Sequence, residues 1–155
     1  MKIKMLVMDV DGTLTDGRLY IGANGEVMKA FDVRDGYAIA NILPREGIIP
    51  VIVTNRASAI VEQRAKELKV TELYQGIPSK ADQIKALMEK YGLCADQIAY
   101  MGDDMTDLES MRLCGMTACP NDAVEEIKEI SDYICNHEGG RGAVREFVEK
   151  LKIEG

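Results

Sequence analysis

Aromatic residues, histidine and proline are scarce in this chain, and acidic residues outnumber basic ones. Its 155 residues include no Trp, two Phe, four Pro and one His. Aliphatic side chains and the nine Met must therefore fill any core. The net charge of −7 argues against DNA, RNA or an anionic membrane surface as a partner. A small anionic ligand is still compatible with this charge, because local Lys, Arg or metal can override it.

The chain also lacks cysteine pairs with metal-binding or redox spacing. Its cysteines, Cys94, Cys114, Cys119 and Cys135, form no C-x-x-C motif, and the lone His137 leaves a zinc site short of ligands. Reduced thiols are favoured over disulfides, and His137 is expected to be an exposed loop residue. The apolar runs are too short for a signal peptide or a membrane span. These absences predict a cytoplasmic protein without a membrane partner.

Short apolar runs alternate with segments of helical periodicity, which is typical of a parallel sheet covered on both faces. The prediction is a single α/β domain over residues 1–155, with a Rossmann-like parallel sheet flanked by helices on both faces. Pro50 should limit the early part of its strand to pairing on one side. The predicted strands are 3–8, 48–53, 72–74, 98–101, 116–118 and 133–134. The predicted helices are 36–46, 57–68, 80–91, 107–113, 123–130 and 143–151.

One segment interrupts this alternation directly after the first predicted strand. Residues 18–22 and 26–31 flank Ala23-Asn24-Gly25, and Asn-Gly is a strong signal for a two-residue turn. This pattern predicts a small β-hairpin insertion and no large cap domain. If the chemistry requires protection from water, another part of the protein must provide it.

Two carboxylates, Asp9 and Asp11, follow the first predicted strand in the motif Asp9-Val10-Asp11-Gly12. At this spacing in an extended segment, both side chains should point the same way. Asp9 can attack a phosphate to form an aspartyl-phosphate, while Asp11 protonates the leaving alkoxide and later accepts a proton from water. Gly12 permits a sharp turn that leaves N–H groups facing phosphate oxygens. The alternative is a pair of structural turn aspartates.

Three more carboxylates, Asp103, Asp104 and Asp107, follow the strand predicted over residues 98–101. If this strand and the first are parallel neighbours, both acidic groups emerge at one edge of the sheet. Several like charges at close range require a cation, and oxygen ligands favour Mg²⁺. Asp103 is the favoured direct ligand, whereas Asp104 and Asp107 bind metal-bound water or orient other groups. The alternative is capping of the next helix.

Two further segments offer groups for binding phosphate. The Thr54 hydroxyl and the following backbone N–H, in Thr54-Asn55-Arg56, can donate to a phosphoryl group. The alternative there is an ordinary helix N-cap by Thr54 or Asn55. Lys80 opens a predicted helix after a Pro-containing turn, which can aim its ammonium at the phosphate and at Asp9. A solvated surface lysine is the alternative.

Two less decisive positions lie outside these motifs. Asp35, in Arg34-Asp35-Gly36, precedes a predicted helix and either caps it or has a functional role. Arg141 belongs to the glycine-rich loop 137–142, whose default interpretation is a surface connection. The glycines would also let Arg141 reach a ligand in this subunit or in a neighbouring one.

In their order along the chain, these motifs resemble those of the haloacid dehalogenase-like phosphatases. The matching residues are Asp9-x-Asp11-Gly12-x-Leu14-Thr15, Thr54, Lys80 and Gly102-Asp103-Asp104-x-x-Asp107. The resemblance implies that Asp9 is the nucleophile and Asp11 the general acid and base. It implies that Thr54 and Lys80 bind the phosphoryl group. It also implies that Asp9, the Asp11 carbonyl and Asp103 hold Mg²⁺.

Nearly the whole chain shows a narrower resemblance, to the family of 3-deoxy-D-manno-octulosonate 8-phosphate phosphatases. Members of that family lack a large cap, and their hairpins assemble tetramers in which neighbouring subunits close each active site. The resemblance implies a homotetramer that acts on a small sugar-acid phosphate in lipopolysaccharide biosynthesis. The matching segments are Asp9-Val10-Asp11-Gly12 with Thr15-Asp16-Gly17, Val33-Arg34-Asp35-Gly36, Leu73-Tyr74-Gln75-Gly76 and residues 139–146.

The residue at position 56 bears on the substrate. The family usually has Thr-Gly-Arg where this chain has Thr54-Asn55-Arg56, and a related branch acting on nine-carbon sialic-acid-type 9-phosphates carries an acidic residue at that position. Arg56 therefore favours the eight-carbon sugar acid, whose carboxylate needs a cationic partner. Asn55, Arg64 and Arg141 are further candidates for substrate binding by resemblance.

Two alternatives come from other functional classes. A signalling receiver domain also combines acidic pairs, Mg²⁺, Thr and Lys, but its phosphorylated Asp lies on a middle strand, whereas here Thr54 follows Val53. A catalytically silent binding or regulatory subunit is the second alternative. Every expected catalytic position is occupied by a competent residue, which favours an enzyme.

Overall fold

The computed structural model of the chain describes residues 2–154. Elements are numbered in chain order. The strands are β1 (Met5–Met8), β2 (Tyr20–Gly22), β3 (Gly25–Met28), β4 (Ile49–Val53), β5 (Glu72–Tyr74), β6 (Ile98–Met101), β7 (Met116–Cys119) and β8 (Tyr133–Ile134). The α-helices are α1 (Val33–Tyr37), α2 (Leu43–Arg45), α3 (Ala59–Glu67), α4 (Lys80–Tyr91), α5 (Leu108–Leu113), α6 (Glu125–Ile130) and α7 (Ala143–Glu154). A π-helical segment, Ala38–Ile42, joins α1 to α2, and 3₁₀ turns span Ala95–Gln97 and Met105–Asp107.

Six parallel strands form one sheet in the order β5-β4-β1-β6-β7-β8. Successive β1 side chains point to opposite faces and enter two separate apolar cores. Leu6 and Met8 pack in the core beneath α3 and α7, whereas Met5 and Val7 pack in the core beneath α4, α5 and α6. The predicted Rossmann-like sheet with helices on both faces is confirmed.

Pro50 lies inside β4, and its neighbours show how the sheet accommodates it. Pro50 is in register with Leu6 of β1, but pairing with β5 begins only one residue later, at Val51. Because proline has no N–H to donate, a position paired on one side only is where a strand tolerates it. The predicted one-sided pairing is confirmed.

Strands β2 and β3 form a separate two-stranded antiparallel sheet, which is the predicted hairpin. Its turn differs from the predicted one, because Gly22 pairs with Gly25 and leaves Ala23 and Asn24 as the turn residues. Gly25 adopts a φ of +112°. The glycine therefore supplies its positive φ just after the turn instead of within it. No large cap domain is present among residues 2–154.

Two helices begin at other residues than predicted, because their N-cap residues lie at other positions. Asp32 caps α1, its Oδ1 accepting the N–H groups of Arg34 and Asp35, so the helix begins at Val33. Ser58 caps α3 through a 3.2 Å bond from the Ile60 N–H. The alternative that Thr54 or Asn55 caps this helix is wrong.

No helix among residues 2–154 is both long and apolar enough to cross a membrane. The single domain predicted over residues 1–155 includes residues 1 and 155, which lie outside the described part of the chain.

Candidate active site

The predicted site residues follow three adjacent strands at their carboxyl ends. Asp9 comes directly after β1, Thr54 directly after β4, and Asp103 two residues after β6. Strand β1 lies between the other two, so these residues meet at one edge of the sheet. A 3.1 Å bond from the Asp9 N–H to the Met101 carbonyl extends the ladder up to the first carboxylate.

Lys80, the first residue of α4, joins the two acidic groups. Its Nζ donates 2.9 Å hydrogen bonds to Asp9 Oδ1 and to Asp107 Oδ1, and its side chain is only 3% exposed. The alternative of a solvated surface lysine is therefore wrong. Burial alone would lower the pKa of Lys80, but the carboxylates of Asp9 and Asp107 outweigh it and raise the pKa. The ammonium is thus held charged at the sheet edge.

Asp107 is fully buried and organises the loop after β6. It accepts hydrogen bonds from Lys80, from the Tyr100 hydroxyl at 2.6 Å and from the Asp103 N–H at 3.0 Å. These bonds fix both the Lys80 ammonium and the backbone beside Asp103. Asp104, in contrast, is exposed and accepts the Met105 N–H at 2.7 Å.

Tyr100 was not among the predicted site residues. Its side chain is fully buried, and a buried hydroxyl requires a partner, which Asp107 provides. The signal available in the sequence was a tyrosine within an otherwise aliphatic strand that leads into an acidic loop.

The carboxylates of Asp9, Asp103 and Asp107 form a cluster in which one oxygen of each lies within 4.8 Å of the others. Burial, followed by the charge of Asp107, raises the pKa of Asp9 to about 6. Burial, followed by the charge of Asp9, raises the pKa of Asp103 to about 9. At neutral pH, Asp9 and Asp103 can therefore ionise together only if a further cation joins the Lys80 ammonium. An all-oxygen donor set of this kind fits Mg²⁺.

Gly12 allows the Asp103 side chain to lie against the backbone of the first acidic motif. A Cβ at Gly12 would lie 1.8 Å from Asp103 Oδ2, and the residue has a φ of +92°. The Gly12 N–H donates to Thr15 Oγ1 at 3.2 Å. The turn brings the first acidic motif against the second, as a shared metal site requires.

The side chain of Asp11 contacts Lys29, a cation outside the predicted site residues. Lys29, immediately after β3, donates a 2.7 Å hydrogen bond from Nζ to Asp11 Oδ1. The same Nζ donates to Glu26 Oε2 at 3.0 Å, and Glu26 Oε2 lies 3.6 Å from Arg56 Nη2. The hairpin thereby contacts both the first acidic motif and the segment after β4.

The remaining predicted substrate-binding residues differ in their distance from the cluster. Thr54 is buried beside Asp9 at the sheet edge, and its Oγ1 accepts the Arg56 N–H at 3.4 Å. Asn55 is exposed and donates to the Ile77 carbonyl at 2.8 Å. Arg56 is 45% exposed, so its guanidinium is accessible next to the hairpin.

Arg64 and Arg141 lie outside the carboxylate cluster in the single chain. Arg64 stacks on Phe31, bonds to Glu67 at 3.1 Å, and lines a cavity of about 340 Å³ together with Lys29. Arg141 is 71% exposed, with its Nε 4.0 Å from Glu138.

The glycine-rich loop 137–142 packs directly on the first acidic motif. A Cβ at Gly139 would lie 1.9 Å from the Gly12 carbonyl oxygen, and the Gly140 N–H donates to the Thr13 carbonyl at 3.2 Å. The loop is therefore more than a surface connection, because its glycines allow backbone to lie against backbone beside the site. His137 is exposed within it, as predicted.

Asp35 contacts the start of α7, directly after this loop, although it is far from α7 in the chain. Its Oδ1 accepts the Arg145 N–H at 2.9 Å in the first turn of α7, so it caps α7. Asp35 does not cap the helix predicted over residues 36–46, because it lies inside α1, which Asp32 caps. Its Oδ2 is buried without a partner among residues 2–154. Burial raises the pKa of Asp35 to about 6.

The chain is similar in sequence to proteins of known family. Residues 69–147 match the family model of haloacid dehalogenase-like hydrolases. The chain is 42% identical over 151 residues to 3-deoxy-D-manno-octulosonate 8-phosphate phosphatase of Escherichia coli strain K12, covering 97% of this chain and 80% of that protein.

Solved structures of similar proteins superpose closely on the chain. The cobalt-bound deoxy-D-mannose-octulosonate 8-phosphate phosphatase from Haemophilus influenzae has a TM-score of 0.93 at 37% identity, covering 97% of this chain and 87% of that one. The 3-deoxy-D-manno-octulosonate 8-phosphate phosphatase from Moraxella catarrhalis, in complex with magnesium, phosphate and KDO, has a TM-score of 0.91 at 40% identity, covering 96% and 85%.

Proposed function

The chain belongs to the haloacid dehalogenase-like hydrolase family, and from this we propose that it is a Mg²⁺-dependent phosphomonoesterase acting on 3-deoxy-D-manno-octulosonate 8-phosphate. The products are the free sugar acid and inorganic phosphate. The observation that carries the proposal is the contact of Lys80 with Asp9 and Asp107, beside Asp103, at the carboxyl edge of the sheet. This arrangement combines a nucleophilic carboxylate, a buried cation and an all-oxygen metal site.

In the first step, an Asp9 carboxylate oxygen attacks phosphorus, and the bond from phosphorus to the sugar oxygen breaks. Asp11 donates its proton to that departing oxygen. The Lys80 ammonium and the Thr54 hydroxyl stabilise the charge on the phosphoryl oxygens. The result is an aspartyl-phosphate on Asp9 and a free sugar acid.

In the second step, Asp11 takes a proton from a water molecule, whose oxygen attacks phosphorus. The acyl-phosphate bond breaks, phosphate leaves and the Asp9 carboxylate is restored. Asp9, Asp103 and the main-chain carbonyl of Asp11 would hold Mg²⁺, whose charge offsets that of the phosphoryl group. Asp107 keeps Lys80 and the Asp103 backbone in place throughout, and Asp104 lies at the exposed rim of the site.

The residue at position 56 bears on the size of the sugar acid. Arg56 is accessible at the hairpin side of the site, which supports a substrate carboxylate there. Asn55, Arg64 and Arg141 are proposed as further substrate contacts, Arg141 from this subunit or a neighbouring one. The similar proteins from E. coli and M. catarrhalis are named for the eight-carbon compound, which favours it over a nine-carbon 9-phosphate. The homotetramer, the single domain and the cytoplasmic location stay predictions.

Phosphate release from a panel of sugar phosphates tests the proposal. With Mg²⁺, the eight-carbon 8-phosphate should have the highest kcat/KM, ahead of nine-carbon 9-phosphates and simple hexose phosphates. EDTA should abolish release, and added Mg²⁺ should restore it. Equal, poor rates on all compounds would reject the substrate assignment, and no release from any of them would favour a silent binding subunit.

A further inference from the structure

The side chain of Lys29, directly after hairpin strand β3, is buried. Apolar residues of the hairpin, among them Ile21, Val27 and Met28, are 55–62% exposed, whereas the Lys29 side chain is only 2% exposed. Removing an ammonium from water is costly unless carboxylates compensate for the lost hydration. A surface hairpin has no structural need to bury a lysine in this way, so the contacts of its ammonium group require an explanation.

The Lys29 ammonium bridges the hairpin to the first acidic motif. It bonds to Asp11 Oδ1 at 2.7 Å, a length typical of strong charge-assisted bonds, and to Glu26 Oε2 at 3.0 Å. Glu26 is in turn 3.4 Å from the Ser58 hydroxyl and 3.6 Å from the Arg56 guanidinium. The ammonium is therefore anchored to the segment that follows β4 as well as to the hairpin.

Asp11 needs such an anchor more than Asp9 does. The Asp9 side chain is 8% exposed and is held by Lys80, whereas that of Asp11 is 23% exposed. The proposed role of Asp11 requires one of its carboxylate oxygens to meet the departing sugar oxygen. A bond from Lys29 to Oδ1 fixes the rotamer of Asp11 and leaves Oδ2 for the proton transfer. Proton transfer demands hydrogen-bond geometry, so a carboxylate that rotates freely would transfer its proton more slowly.

We propose that Lys29 is a positioning residue that orients the Asp11 carboxylate towards the leaving oxygen, with Glu26 anchoring Lys29. This inference rests on the proposed function. It assigns the hairpin a part in the chemistry of its own subunit. The consequence is specific to the first step, because formation of the aspartyl-phosphate depends on the orientation of Asp11 only for substrates whose leaving group needs a proton.

Two substrates with different leaving groups separate this role from a structural one. The kcat/KM value reports the steps up to release of the first product. A sugar alkoxide needs the proton from Asp11, whereas p-nitrophenolate leaves readily without one. Lys29→Met should lower kcat/KM for the sugar-acid phosphate by roughly tenfold or more. This loss is part of the rate enhancement of about 10²–10⁴ that a positioned general acid provides. The value for p-nitrophenyl phosphate should change less than about threefold, because its leaving group does not need a proton from Asp11.

Conservative and control variants complete the design. Lys29→Arg, which can bridge the same carboxylates, should recover most of the loss on the sugar-acid phosphate. Lys66→Met, at a lysine whose side chain is 79% exposed, should match wild type on both substrates. If Lys29→Met does not fold, as judged by circular dichroism, Glu26→Gln takes its place, with the same pattern at smaller size.

The outcomes distinguish this inference from the proposed function. Turnover of the sugar-acid phosphate by wild type tests the proposed function alone, and its absence would reject both. With active wild type, an equal loss on both substrates, or no loss on either, would overturn the role of Lys29 and leave the proposed function standing.

Discussion

The Lys80 Nζ donates a 2.9 Å hydrogen bond to Asp9 Oδ1, although the two residues are 71 positions apart in the chain. The bond joins the start of α4 to the end of β1, and it is almost completely shielded from water. Shielding strengthens the attraction between these charges and makes the loss of either partner costly. The same ammonium also holds Asp107, so one side chain connects both acidic groups.

Replacing Lys80 by Met should lower kcat by on the order of 10²–10³, because a preorganised charge facing the phosphoryl oxygens is lost. The variant also leaves Asp9 and Asp107 without their shared cation. Phosphate-release kinetics at saturating Mg²⁺ measure the effect. Lys85→Met, at an exposed position of the same helix, is the matched control and should retain wild-type kcat. Similar activity in the two variants would remove Lys80 from the site.

Mg²⁺ should stabilise the folded protein through Asp103. At a metal concentration of 100 times Kd, binding to the folded state alone adds about 2.7 kcal/mol to the free energy of unfolding. Thermal unfolding should therefore show a higher Tm with Mg²⁺ than with EDTA for wild type and for the exposed control Asp96→Asn. Asp103→Asn should lose this shift. A full Mg²⁺-dependent shift in Asp103→Asn would place the ion elsewhere.

Asp35 should make stability depend on pH. Burial raises its pKa from 3.8 to about 6, so folding takes up a proton between these values. The stability contributed by protonated Asp35 is complete below about pH 4 and is lost as pH rises through 6. Asp35→Asn keeps an oxygen for the α7 N–H and does not ionise.

Urea unfolding of wild type and Asp35→Asn at pH 4 and pH 7.5 measures this dependence. Between pH 4 and pH 7.5, the free energy of unfolding of the variant should rise relative to that of wild type by up to about 3 kcal/mol. The size follows from the pKa shift of Asp35, since one pKa unit corresponds to about 1.36 kcal/mol. Asp35→Ala, which loses the cap, should be destabilised at both pH values. Parallel pH profiles for wild type and Asp35→Asn would contradict the account.

Gly139→Ala should impair both stability and activity, because the added Cβ would collide with the Gly12 carbonyl. Forcing the loop outwards should cost about 1–3 kcal/mol and displace the Gly12 turn that faces Asp103. Gly47→Ala is the comparison, since its φ of +71° predicts strain of about 1–2 kcal/mol in open space far from the site. Equal kcat in the two variants would show that the loop has no influence on catalysis.

The parallel sheet and the meeting of Asp9 with Asp103 at its edge could be predicted from the sequence, because both follow from local patterns. Alternating apolar runs predict parallel strands, and parallel strands bring Asp9 and Asp103 to the same edge. The contacts of Lys29 and Asp35 could not be predicted in this way. Each depends on the position of a distant element, the hairpin against β1 or α7 against α1, and neither position has a periodic pattern.

Phosphorylation of Asp9 tests the central claim most directly. Wild-type protein, turning over 3-deoxy-D-manno-octulosonate 8-phosphate with Mg²⁺, is quenched in acid and digested for mass spectrometry. The peptide containing Asp9 should gain the mass of one phosphoryl group, and folded Asp9→Asn should neither gain it nor release phosphate. Phosphate release near the wild-type rate by Asp9→Asn would contradict the role of Asp9 as nucleophile.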